Sequence, residues 1–262
     1  MLKKRLIPIL LLQNGLLVRS ELFKIHQVIG TPIYEVRRFN EWNVDELIYL
    51  DITRGDDYDL RRDDHKLKGL ADPLAILDAV SRTCFMPLTW GGRIWSVDQM
   101  REIFGRGADK VALNTAAFRT PELVTEGAAA FGSQAIVVSI DVLRHPDGRH
   151  EVFIEGGRTA TGWDPVRWTR EAERRGAGEI LLQSIDRDGT GAGYDLDLIR
   201  SVSSATTVPV IACSGIGRYE QYVEGIRAGA SAVAAANIWH FKELSDRGGK
   251  RALAKAGVDV RI

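Results

Sequence analysis

Cysteine is almost missing from this chain: Cys84 and Cys213 are the only two in 262 residues. Both fall in apolar, strand-like runs, so they read as reduced core residues rather than a disulfide framework. A charge surplus is missing too. Lys+Arg and Asp+Glu are each 35, and the net charge is zero. That removes the electrostatic case for nucleic acid or an anionic membrane as partner. No apolar run approaches the roughly 20 residues needed to cross a bilayer. The opening MLKKRLIPILLLQNG imitates a signal peptide. Its apolar stretch is short, lacks a small-residue cleavage site and runs into a turn, so it reads as a first strand. The five histidines, His26, His65, His145, His150 and His240, show no ligand spacing, so no metal and no cofactor is expected. What remains is an ordinary globular composition, 45% hydrophobic and 27% charged, able to bury a large core in the cytoplasm.

Short apolar strands alternate with helical patterns along the chain. Strands are expected near 5–11, 46–52, 84–90, 109–113, 135–141, 179–185, 208–213 and 231–235. Ser96 is the expected cap of one helix, which ends near Gly105 or Gly107. Thr120-Pro121 and Asp164-Pro165 open two more with a cap and a proline at the first helical position. Eight strands, each followed by a helix, predict one α/β domain over 1–262: a (β/α)8 TIM barrel. Its halves echo each other. MPLTWGG (86–92) matches VPVIACSG (208–215), and GADKVALNTAAF (107–118) matches GASAVAAANIWHF (229–241). Pro209 lies 122 positions after Pro87, and Gly229 the same distance after Gly107. Two similar half-barrels suit a ligand with a phosphate at each end.

Chemistry in such a barrel sits at the C-terminal strand ends. Acids occur there at Asp51, at Asp141, and in SIDRDGTG at Asp186 and Asp188, with Thr190 beside them. Asp-Gly pairs are also plain turn residues. The first strand instead ends in Leu10-Leu11-Leu12, with no acid, base or nucleophile. The loops WGGRIWS and CSGIGRYEQ place small residues before helices, where backbone N–H groups can meet an anion. Gly91, Gly92, Arg93, Ser214 and Gly215 are therefore candidate phosphate-binding residues, and Asn114, after the fourth strand, is counted with them. Trp90 and Trp95 flank the glycines and either fill substrate space or pack under a helix. The run TRGDDYDLRRDDHK (53–66) reads as a solvated flap after the second strand.

DELIYLDIT, GADKVALNTAAF, GSQAIVVSID, RGAGEILLQSIDRDGTGAGYD and VPVIACSGIG carry a resemblance that covers nearly the whole chain. The chain resembles the cyclase subunit family of imidazole glycerol phosphate synthase, from histidine biosynthesis. The resemblance implies a glutaminase docked on the N-terminal face of the barrel. Ammonia would pass through the barrel to a phosphorylated small molecule on the other face. It also implies two catalytic aspartates, at the ends of the first and fifth strands. Asp141 matches the fifth-strand residue, and Leu11 stands where the other acid belongs. Arg19 replaces an expected lysine. The family's three-glycine run becomes Gly91-Gly92-Arg93, and its Ser-Gly-Gly becomes Cys213-Ser214-Gly215. Four charged residues that ring the ammonia entrance in the family match Arg5, Glu46, Lys110 and Glu179 without substitution. Asp109 matches an acid on the glutaminase-docking face.

Three functions follow from that pattern. LLLQNGLLVRSELFK and the loss of the acid at Leu11 resemble a cyclase-like branch associated with surface-polysaccharide and nonulosonic-acid genes. There the barrel and its glutaminase supply ammonia to a sugar amidotransferase for lipopolysaccharide-type glycans. This is the leading expectation, with Asp141 and Asp188 as the remaining candidate catalytic groups. The alternatives are a working imidazole glycerol phosphate synthase cyclase (a lyase) and a non-catalytic scaffold that activates a glutaminase.

Overall fold

A computed structural model describes residues 3–42, 44–55, 57–60, 70, 72–241 and 245–261. In chain order the first half comprises β1 (Arg5–Gln13), β2 (Leu16–Glu21), β3 (Ile25–Gly30), α1 (Pro32–Glu41), β4 (Leu47–Asp51), α2 (Pro73–Ser81), β5 (Leu88–Gly91), α3 (Val97–Gly105), β6 (Lys110–Leu113), α4 (Thr115–Arg119) and α5 (Glu122–Phe131). The second comprises β7 (Ile136–Arg144), β8 (His150–Ile154), β9 (Thr159–Ala160), α6 (Pro165–Arg175), β10 (Glu179–Ser184), α7 (Leu196–Ser203), β11 (Val210–Cys213), α8 (Glu220–Arg227), β12 (Ala232–Ala235), α9 (Ile238–Phe241) and α10 (Ser245–Lys255). Strands β1, β4, β5, β6, β7, β10, β11 and β12 pair in that order, all parallel. β12 returns to β1 to close the barrel. The expected (β/α)8 barrel is therefore present.

Strand alternation sorts the side chains into two cores. Leu6, Leu10, Leu12, Tyr49, Trp90, Val111 and Leu113 point outward and pack under the helices. Ile7, Ile9, Leu11, Ile48, Leu50, Val137, Leu181 and Ile211 point inward and fill the barrel. Ala112, Ala232 and Ala234 keep part of that inner wall small. Each fully buried leucine or isoleucine contributes about 1.5–3 kcal/mol.

The helix signals hold in two of three places. Ser96 accepts from the Gln99 N–H, and Asp164 from those of Val166 and Arg167, as caps should. Thr120 instead supplies only its backbone carbonyl to Leu123, and α5 starts at Glu122 after Pro121. The third barrel strand begins at Leu88, not at 84. The N–H of Cys84 still closes the turn onto Val80, and Phe85 projects into solvent. Both cysteines are free, with Cys213 buried and Cys84 half-buried. Among the described residues, no helix is long and apolar enough to cross a membrane.

The internal repeat is a repeat of structure. β11 and β12 begin 122 positions after β5 and β6. Gly107 and Gly229 both adopt left-handed φ, +102° and +115°. An added Cβ would meet the Cβ of Ser81 at 2.9 Å in one half and of Ser203 at 3.0 Å in the other.

Candidate functional site

At the N-terminal mouth, Arg5, Glu46, Lys110 and Glu179 converge from the starts of four strands and alternate in sign. Arg5 reaches Glu46 at 2.5 Å and Glu179 at 2.6 Å. Lys110 reaches Glu46 at 3.2 Å and Glu179 at 2.7 Å. Every charge thus has two opposite partners, and the ring is closed. Burial opposes the Arg5 charge, but Glu179 and Glu46 outweigh it and hold its pKa above the ordinary value. Such groups tolerate partial burial only because they are paired. Asp109 is exposed on the same face, where its carboxylate accepts the Leu88 N–H at 2.8 Å.

At the other mouth lies a cavity of about 480 Å³, lined among others by Leu11, Asp51, Arg93, Asn114, Asp141, Gln183 and Asp188. That volume suits a small metabolite. Asp141 comes from β7 and is buried. Burial drives its pKa up to about 7. Amide donors on Gln183 and Asn114 pull it back, and nearby Asp188 adds to the rise. A carboxyl poised there can take or return a proton near neutrality. Leu11 lines the same cavity from β1 and pairs in register with Leu50 and Val18. Three hydrocarbon side chains thus meet where the resemblance implies a second acid.

Asp188 has other work. Its carboxylate accepts the Ser20 hydroxyl at 2.6 Å and the Phe23 N–H at 3.1 Å. It therefore ties the β2–β3 hairpin across the cavity mouth. Burial still holds its pKa above the ordinary range, against the pull of Ser20 and Phe23. Leu22 and Phe23 both have left-handed φ, +54° and +58°, an unfavourable turn that this anchor holds in place. Asp51 accepts from Tyr58 at 2.9 Å, and the Arg93 guanidinium stands 4.0 Å away, over the Tyr58 ring. Asp186 accepts the Arg144 N–H, and Thr190 bonds back to the Arg187 carbonyl, so both serve loop structure.

The two glycine-rich loops have matching backbones. Gly92 and Arg93 have φ of +97° and +61°; Ser214 and Gly215, 122 positions on, have +83° and +88°. An added Cβ at Gly92 would lie 2.1 Å from the Asp51 carbonyl, and one at Gly215 2.3 Å from that of Gly193. A Cβ at Gly91 would meet the Leu50 and Ala112 side chains, so this glycine serves packing in the wall. The helices begin at Val97, directly after the expected Ser96 cap, and at Glu220. Three of the amides between are already used: Gln99 accepts the Trp95 N–H, and Gln221 those of Gly217 and Arg218. Gly92 to Trp95 in one loop, and Gly215 and Ile216 in the other, line the cavity ahead of the helix starts. Asn114 donates to the Ser139 carbonyl at 3.0 Å and accepts from Thr115. Trp90 is not in the cavity: it stacks on Tyr49 at 5.7 Å under the helices, while Trp95 lines the rim. Arg19 points along the hairpin to Gln27 and lies over the Phe241 ring.

Among the described residues, no group of three metal-type ligands converges. His150 pairs with Asp195, and His145 with Glu151. His65 and much of the 53–66 flap lie outside the described residues. Gln183 and Ser20 were not anticipated as site residues. Their partners are distant in sequence, 168 residues for Ser20 and Asp188, so no local pattern marks them.

A family model described as "Histidine biosynthesis protein" matches residues 5–245. The chain is 44% identical over 264 residues to the imidazole glycerol phosphate synthase subunit HisF of Gluconacetobacter diazotrophicus, spanning 100% of this chain and 97% of that protein. Identity to the protein of the same name from Caulobacter vibrioides is also 44%, over 267 residues, with the same coverage of each chain.

Proposed function

The chain belongs to the histidine biosynthesis protein family, and from that premise we propose that it is the barrel subunit of a glutamine-dependent synthase of the imidazole glycerol phosphate synthase kind. A glutaminase docks on the N-terminal face around Asp109. Ammonia enters through the Arg5–Glu46–Lys110–Glu179 ring and crosses the apolar interior. It is used in the C-terminal cavity on a phosphorylated small molecule held by Gly92, Arg93, Asn114, Ser214 and Gly215. Asp141 handles protons. The barrel is one cytoplasmic domain and needs no cofactor. The observation that carries this reading is the closed charge ring standing over an apolar interior that leads to Asp141.

The relatives carry the histidine-pathway name, which favours cyclisation over the surface-glycan reading. One observation keeps a second reading in play: Leu11 in the cavity wall. A leucine transfers no proton. On that reading the barrel passes ammonia on to a separate sugar amidotransferase, and Asp188 serves as an anchor for the hairpin. An ammonia-dependent cyclase assay on the purified chain separates the two. Turnover at ordinary cyclase rates supports the first reading and ends the second; none, from a folded chain, does the reverse.

A further inference from the structure

β10 runs from the charged ring to the cavity, and its inward side chains change chemistry in three steps. Glu179 belongs to the ring, Leu181 to the apolar interior, and Gln183 lines the cavity. At about 3.3 Å per residue, Gln183 stands roughly 13 Å beyond Glu179. Its neighbour in register on β7 is Asp141. The Gln183 amide nitrogen donates to Asp141 at 3.0 Å and to Ser139 at 3.2 Å. Both amide hydrogens are thereby used, and the amide oxygen is the end left over. Among the described residues that oxygen accepts no hydrogen bond, yet it is not sealed off from solvent-sized space.

We infer that Gln183 is the residue that receives ammonia at the cavity floor. This rests on the ammonia-transfer reading above. Ammonia reacts through its lone pair, so a protein must hold it by its N–H groups and leave the nitrogen open. That calls for acceptors. A neutral amide oxygen accepts an N–H without taking or giving a proton. A protonated carboxyl in the same place would give its proton to ammonia, and a carboxylate would favour the cation by its charge; either way the result is ammonium, which has no lone pair. Gln183 therefore does two things at once: its N–H side holds Asp141, and its carbonyl side holds the nucleophile beside it.

The test is carbon- and nitrogen-detected NMR of the whole chain, with signals of the Gln183 side-chain amide and the Asp141 carboxyl assigned through bonds. Ammonium chloride is added at alkaline pH, where free ammonia is present. Both signals are expected to move along one saturable curve in the wild type, a result that needs no variant to fold. In Gln183→Met, which keeps length and removes the acceptor, the Asp141 curve is expected to weaken about three- to tenfold, the worth of one hydrogen bond. If the Gln183 amide signal stays fixed while that of Asp141 moves, or if Gln183→Met leaves the half-saturation point unchanged, the inference is overturned. A chain that binds ammonia at Gln183 but never turns over would instead sink the cyclisation reading and leave this inference standing.

Discussion

The two mouths of the barrel are built from the same strands and obey different rules. At the N-terminal mouth four charges satisfy one another completely, each with two partners. At the C-terminal mouth Asp141 lies buried with amide neighbours and, among the described residues, no cation paired to it, and its pKa rises to about 7. β1 shows the contrast along one strand: Arg5 closes the ring, and six residues on Leu11 leaves the cavity wall without an acid. A closed ring of ion pairs resists change, because removing one member strands two partners. A buried carboxyl held by amides rather than by cations is costly and therefore chemically useful.

The largest effect should come from Asp141. Asp141→Asn is expected to lower ammonia-dependent turnover by about 10²- to 10⁴-fold, the usual worth of a general acid or base. Binding of the phosphorylated ligand should be little altered; steady-state kinetics and calorimetry check the pair. If the variant turns over normally, the C-terminal mouth is not where protons move.

At the ring, Glu179→Gln removes one of the two partners of both Arg5 and Lys110 and should cost about 3 kcal/mol in urea unfolding. The same exchange at an exposed pair such as Arg101–Asp98 should cost less than about 1 kcal/mol. Equal costs would mean that the ring is an ordinary surface network.

Asp141 also makes a prediction about pH and stability. Its folded pKa is raised to about 7, above its unfolded value near 4. The native state therefore binds the proton more tightly, and this group favours folding at low pH. That contribution is lost as pH rises from about 4 through about 7 and stays lost above. Asp141→Asn cannot ionise, so it should melt higher than wild type at pH above 7 and close to it near pH 4. Thermal denaturation across that range reads the difference, and parallel melting curves would refute the buried-carboxyl account.

The smallest effects concern the repeated loops. Ser214 pays a left-handed penalty that glycine avoids, but its hydroxyl accepts the buried Ser184 N–H at 3.3 Å, so the two effects oppose and Ser214→Gly should change stability by less than about 1 kcal/mol. Gly92→Ser places a Cβ 2.1 Å from the Asp51 carbonyl and should destabilise by more than that. Equal and opposite behaviour of equivalent positions would show that the halves have diverged in tolerance but not in backbone.

Much of this was readable in advance because it depends on local pattern. The strands show as apolar runs, and the cap positions of Ser96 and Asp164 follow from neighbouring residues. Gly107 and Gly229 carry the duplication because close packing leaves them no alternative. The β7–β8 hairpin also left a signal, the Pro-Asp-Gly of its turn, which a search for helices passes over. The β2–β3 hairpin left none. Its turn uses Leu22 and Phe23 in a conformation they disfavour, and it is held by Asp188 from the other half of the chain. The orientation of Trp90, and the hold of Tyr58 and Arg93 on Asp51, likewise depend on the closed barrel. The ring of four charges was legible through family resemblance, since its members are scattered over 174 residues of sequence.

The central claim is that the N-terminal mouth admits ammonia to the other end. Lys110→Met keeps the apolar stem and removes the charge. The variant is first shown to fold and to bind its glutaminase. Product formation by the complex is then compared with glutamine and with added ammonium salt as nitrogen source. The account predicts that glutamine-driven product falls while ammonium-driven product survives. If neither changes in a correctly assembled complex, ammonia does not pass Lys110, and the account is contradicted.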